Sequence, residues 1–214
     1  AETTQATPGG ITTPPWVCGN TLIDSRDSNE YSTVEIGTQC WMAENLNIGT
    51  RKNRAITQTN NSEIEKYCYN DLESNCDIYG GLYQWDEAMQ YSVSSGAQGI
   101  CPDGWYIPSN TEFTVLETYL GGASVAGGKM KETGTTHWST PNTGATNDSG
   151  FTALPSGFSG WDTFYFIGYK TFFYLSNISF SRPYYFLLNH DSGSVSLSNG
   201  GERSDGGPVR CIMN

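Results

Sequence analysis

Few residues in this chain could do bond-making chemistry. Only two histidines exist, His137 and His190, in unlike surroundings, so a multi-histidine metal centre is excluded. A cysteine–histidine pair would need a free thiol. The stretch "SGFSGW" looks like a nucleophile elbow, yet Trp161 stands where the last glycine belongs, and no strand-to-helix turn surrounds it. No pair of carboxylates stands out as glycosidase acid and nucleophile, and no glycine-rich phosphate cradle precedes a helix. The residues therefore read as a non-enzyme.

Two oxygen-rich stretches raise calcium. The acids of "DSRDSNE" lack the sixth-position glycine of an EF-hand loop and read as a hairpin turn. "TPNTGATNDSGF" holds Asn142, Asn147 and Asp148 among glycines. Such loops bind calcium, and they also close as Asx-turns without an ion; the sequence leaves both open, and neither a metal nor a cofactor is assigned.

Recognition chemistry is better represented. Half of the 28 aromatic residues fall in 151–190, and "FYFIGYKTFFYLSNISFSRPYYF" sets Tyr beside Ser and Asn, as binding loops do. Strand alternation sends about half of these rings inward. Phe164, Phe166, Phe172 and Phe186 are the expected core residues. Tyr165, Tyr169, Tyr174, Tyr184 and Tyr185 carry hydroxyls that need water or a partner. With Asn177, Ser179, Phe180, Asn189 and His190 they form the expected ligand face.

The elements that must hold this face are short. "LIDSRDSNEYSTVEIG" predicts two strands with a turn at Asp27, Ser28 and Asn29. Leu82, Trp85, Ala88 and Met89 fall at helical spacing. Ser109 and Glu112 stand in capping-box register ahead of Phe113, Leu116, Tyr119 and Leu120, with Gly121 to end the helix. "KMKE" at 129–132 predicts one further turn. Beyond about residue 135 the pattern is that of β-strands ("TFYFI", "YYFLL", "SVSL", "PVRCI") and loops. The class is α+β, with two or three short helices, a twisted antiparallel sheet and long loops. Residues 1–15 read as a Thr/Pro/Gly-rich tail or linker, and 16–214 as one domain.

Six cysteines without a CxxC pair favour disulfides and an oxidising, extracellular or cell-surface location. Of the fifteen connectivities that six allow, the short loop "CYNDLESNC" favours Cys68–Cys76. Pairing Cys101 with Cys211 joins mid-chain to the last strand and leaves Cys18 with Cys40. A net charge of −11 opposes nucleic acid or an anionic membrane surface as partner. No apolar run of about 20 residues is present to span a bilayer.

Several segments in fixed order, "YSTVEIGTQCWMAENLN", "YCYNDLESNCDIYGGLYQWDEAM", "GICPDGWYIPSNTEFTVLE", "TPNTGATNDSGFTALPSG" and "GGPVRCI", resemble the Fibrobacter succinogenes major paralogous domain, a family of secreted bacterial domains. The resemblance covers residues 16 to 214. It implies a C-type-lectin-like fold, related to formylglycine-generating-enzyme domains and to the variable proteins of diversity-generating retroelements. It supports Cys68–Cys76 and Cys101–Cys211, which lie inside the matching motifs. The reactive cysteine pair, the histidine-bearing metal site and the sugar-binding motifs of calcium lectins have no counterpart in this chain. The chain also departs from the family where Tyr174, Leu175, Ser176 and Asn177 replace a common Trp-Ser-Ser-Thr. The expected function is extracellular, non-enzymatic binding through the aromatic face, to a protein or glycan on another cell or surface, in the manner of an adhesin or a hypervariable ligand-binding protein. The alternative is a structural subunit of a self-assembling surface filament or layer, with the N-terminal tail joining neighbours.

Overall fold

The computed structural model describes residues 16–213; the tail expected at 1–15 lies outside them. The class is α+β, as the sequence predicts, and among the described residues the β-structure is divided into five small sheets.

The first hairpin pairs β1 (Leu22–Ile23) with β2 (Glu30–Tyr31), and its turn places Ser28 at φ 65°. Next, β3 (Thr33–Ile36) and β4 (Gln39–Met42) pair antiparallel. They are completed from far away. β15 (Ile212–Met213) inserts between β4 and β8 (Trp105–Tyr106), giving the order β3-β4-β15-β8. β5 (Thr50–Arg51) and β6 (Glu65–Lys66) form a parallel pair.

The central sheet is the antiparallel set β11 (Lys170–Ser179), β12 (Arg182–Asn189) and β13 (Val195–Ser198). Alternation divides its side chains between two cores. Phe173, Leu175, Phe186, Leu188 and Val195 join Trp41, Phe113, Leu116, Trp138 and Phe151 in one. Phe172 and Tyr174 turn the other way, into a core with Tyr83, Trp85, Met89, Trp105 and Val209. Pairing is interrupted between Tyr174 and Ile178. There the Leu175 carbonyl accepts from Trp85 Nε1 at 2.9 Å, and Asn177 Oδ1 accepts from Asn110 N at 2.7 Å. The bulge thus re-aims polar groups onto neighbouring elements.

Among the described residues, four α-helices surround these sheets. α1 (Glu73–Tyr79) begins inside the segment "CYNDLESNC", where the sequence predicts only a loop, and α2 (Trp85–Ala88) supplies the short helix read around Leu82–Met89. α3 (Asn110–Tyr119) has the expected capping box, with the Glu112 carboxylate accepting from Ser109 N at 2.8 Å. α4 (Ala123–Met130) is a full helix where one turn at 129–132 is predicted. It carries adjacent glycines for a steric reason: a Cβ on Gly127 would lie 2.2 Å from the Ser194 carbonyl oxygen, and one on Gly128 2.1 Å from that of Gly144.

A fourth sheet, order β10-β9-β14-β7, combines β7 (Tyr83–Gln84), β9 (Phe158–Ser159), β10 (Phe164–Tyr165) and β14 (Gly206–Gly207). It carries the hairpin that builds the site. All three expected disulfides are formed: Cys18–Cys40, Cys68–Cys76 and Cys101–Cys211, with Cα separations of 5.8, 5.0 and 5.9 Å. Among the described residues no helix is long and apolar enough to cross a membrane.

Candidate recognition site

The aromatic segment does not form one uniform face. Its outward part lines a cleft of about 240 Å³ between the β9–β10 hairpin, the face of β11 and β12, and the loop at 200–205. Phe158, Phe166, Phe172, Tyr185 and Leu187 form its walls. The Phe158 ring lies 5.4 Å from that of Phe172 and 5.9 Å from that of Phe166, while Phe172 and Tyr185 are 5.2 Å apart. Two charged groups stand on its lining. Lys170 Nζ sits over the Phe166 ring at 4.5 Å. Burial, and then the charge of Glu202, raises the Asp205 carboxyl above its ordinary value. An apolar floor with one cation and one carboxylate suits an amphipathic side chain or a partner's aromatic ring.

Two expected assignments are corrected here. Phe166 is 45% exposed at φ 64°, outside the core; it precedes β11 in a left-handed turn, so strand alternation does not reach it. Tyr174, expected as an exposed face residue, reaches the lining of the cleft only from beneath and is 2% exposed. Its hydroxyl donates to the carbonyls of Glu202 and Asp205 at 2.8 and 2.9 Å, so the ring sits in the core with its polar end satisfied. Phe172 and Phe186 are core residues as expected, and Phe164 is half-buried against Tyr69, with ring centroids 5.1 Å apart.

The other expected face residues are scattered. Tyr185 is half-buried in the cleft wall; Tyr165, half-buried, donates its hydroxyl to Asp162. Tyr169, 49% exposed, meets His190 edge-on with ring centroids 5.1 Å apart, and His190 Nδ1 donates to the Thr140 carbonyl at 3.1 Å. Tyr184 is half-buried against the core that holds Phe186. Asn177 is spent on the start of α3, and its Nδ2 donates to Ser95 Oγ at 3.1 Å. Ser179 is half-buried at the end of β11. Asn189, half-buried, lends its carbonyl to Lys131.

Phe180 stands apart. It and Ser181 form the two-residue tip of the β11–β12 hairpin, at φ 48° and 65°, and Phe180 is 99% exposed. Positive φ at both positions is what a type I′ turn requires, and Asn-Gly or Asp-Gly normally provide it. A bulky aromatic residue there is strained and makes little contact with its own chain to offset the cost.

The oxygen-rich loop weighed for calcium is held by protein groups. Asn142 Nδ2 donates to the carbonyls of Glu132 and Gly134, and Asn147 Oδ1 accepts from Thr152 N in an Asx-type closure. The Thr143 carbonyl accepts from the ammonium of buried Lys131 at 3.0 Å. His137 pairs with Glu132 at 2.9 Å.

Sequence reasoning did not place Phe158, Lys170, Leu187 or Asp205 in the site, because the cleft forms only when three distant segments meet. The alternation of Tyr185 and Leu187 on one strand was the available signal. A family sequence model described as the Fibrobacter succinogenes major domain matches residues 34–212. No curated protein and no solved structure matches the chain.

Proposed function

The chain belongs to the Fibrobacter succinogenes major domain family, and on that premise we propose that it is a non-enzymatic binding domain of the cell exterior that grips a protein partner. Its anchors are the aromatic cleft and the Phe180 tip. The observation that carries the reading is Phe180: a large apolar side chain held in left-handed backbone and 99% exposed. Such strain is a mark of function when nothing within the fold rewards it. Aromatic anchors beside a pocket are the usual energetic centres of protein interfaces. Three disulfides suit an oxidising exterior.

A second reading rests on the same two features. A knob and an aromatic cleft on one chain can mate between copies, head to tail, and such a contact builds filaments. The surface-subunit alternative therefore stands on Phe180 and the cleft; the N-terminal tail first considered for it lies outside the described residues.

One set of variants tests both readings. Light scattering of the purified chain, with Phe180→Ala and Tyr185→Ala beside it, reports self-association. Binding of labelled chain to intact cells and surface proteins from its own habitat reports a foreign partner. A monomer that binds a surface protein, weakened at least tenfold by either substitution with unchanged Tm, supports the first reading. Regular assemblies abolished by the same changes replace it with the second. Insensitivity of all binding to both substitutions removes the aromatic site from function.

A further inference from the structure

A second cleft lies on the other side of the β9–β10 hairpin and shares no lining residue with the aromatic one. Alternation explains the division. Tyr165 pairs with Phe158 and shares its face, so the neighbouring Phe164 looks the opposite way. This cleft has a volume of about 420 Å³ and is lined mainly by polar groups, among them Asn53, Arg54, Asn70, Asp71 and Asp162. Trp161, on the hairpin tip, forms its edge and is 86% exposed.

Two features of this cleft are unspent within the fold. Among the described residues the Arg54 guanidinium makes no hydrogen bond and no ion pair. Its Nε is buried without an acceptor, although the group is fixed over the Tyr67 ring at 5.4 Å. The Trp161 indole is likewise uncovered. The floor beneath them is rigid. Asp71 accepts from Arg54 N at 2.8 Å and from Asn53 Nδ2 at 3.1 Å, and Asn70 and Asp71 both hold φ 56°. Consecutive left-handed residues without glycine are costly and persist where the surroundings enforce them.

We propose that this cleft binds a neutral saccharide. A pyranose ring offers a C–H face that packs flat on an indole, and an edge of hydroxyls that both donate and accept. Arg54 and Asn70 supply donors, and Asp162, whose Oδ1 is engaged by Tyr165, has its second oxygen as acceptor. Charge selects within the class. Arg54 shares the cleft lining with two carboxylates, Asp71 and Asp162, on a chain of net charge −11, so uronate and sulfated glycans are repelled. An apolar peptide side chain finds the better surface in the other cleft. The inference is independent of the protein-partner reading.

The test is titration calorimetry of the whole chain against tetrasaccharides of glucose, mannose, galactose and xylose, with hexuronate and sulfated oligomers alongside. At least one neutral tetrasaccharide should bind. Trp161→Ala and Arg54→Met should each weaken it at least tenfold, and Phe166→Ala should leave it unchanged. Trp161 is an exposed tip residue, so its variant keeps the wild-type circular dichroism and Tm. Failure of every neutral tetrasaccharide to bind, equal binding by Trp161→Ala, or preference for the anionic oligomers overturns the assignment. None of these outcomes alters the fate of Phe180 and the aromatic cleft.

Discussion

The ammonium of Lys131 donates to the backbone carbonyl of Asn189 across 2.9 Å. The same group donates to Ser192 at 2.9 Å and Thr143 at 3.0 Å, so one buried cation gathers the loop after β12 and the loop after the Thr140–Pro141 bond. Lys131→Met keeps the stem and strands three acceptors. It should cost about 3 kcal/mol, read as a lower urea midpoint, with faster amide exchange at 189–192 than in β4. An unchanged midpoint would mean that water replaces the ammonium without loss.

The three disulfides should differ in weight because the loops they close differ. Cys101–Cys211 spans 110 residues, Cys18–Cys40 22 and Cys68–Cys76 only 8. Loop-closure entropy assigns them about 5, 3 and 2.5 kcal/mol respectively. Paired Cys→Ala variants measured by chemical denaturation should follow that order. The reverse order would show that local strain or residual structure dominates.

Asp24 gives the stability a pH dependence. Burial alone would raise its carboxyl; hydrogen bonds from the Arg26 side chain and backbone reverse this and hold it below 3.8. The ion pair closes at 2.6 Å. A lowered folded pKa means that the stabilisation is fully present above 3.8 and disappears as pH falls through the folded value. Asp24→Asn should therefore cost about 2 kcal/mol near neutral pH, with the difference from wild type closing in acid well below 3.8. Parallel stability curves down to that range would contradict this account.

The hairpin tip should trade stability against recognition. Replacing Phe180 and Ser181 by Asn-Gly supplies residues that adopt positive φ at low cost. Thermal unfolding should then show a gain of about 1 kcal/mol, while binding attributed to the tip falls. A variant that is destabilised would indicate that Phe180 is packed after all.

What was legible in the sequence was local. The capping box of α3 needs only Ser109 and Glu112, three residues apart, and it formed as read. Helix α1 was hidden because it starts from Leu72 with no side-chain cap and carries no apolar stripe; the Cys68–Cys76 bond sits across its start. Phe172 and Phe186 were read as buried and are, but Tyr174, two residues after Phe172 in β11 and so on the same side of the strand, was read outward and shares its core. Phe166 was misread because the backbone turns left-handed before the strand begins. Asn177 carried the composition of a binding residue, yet its partner at Asn110 lies 67 positions away and no local pattern reveals it. Trp161 and Arg54 escaped for the same reason: a shared cleft is a property of tertiary arrangement.

The placement of residues 206–213 bears on biogenesis. β14 lies between β9 and β7, β15 lies between β4 and β8, and between them Arg210 is buried beneath Asn45 and the carbonyls of Met42, Phe151 and Thr152. These residues are the last of the described chain to leave the ribosome. Until they arrive, two sheets lack a middle strand and present four open edges, the condition in which nascent chains aggregate or recruit chaperones. A frameshift or premature stop just upstream of Gly206 would thus yield an unclosed polypeptide, a ready substrate for proteolysis.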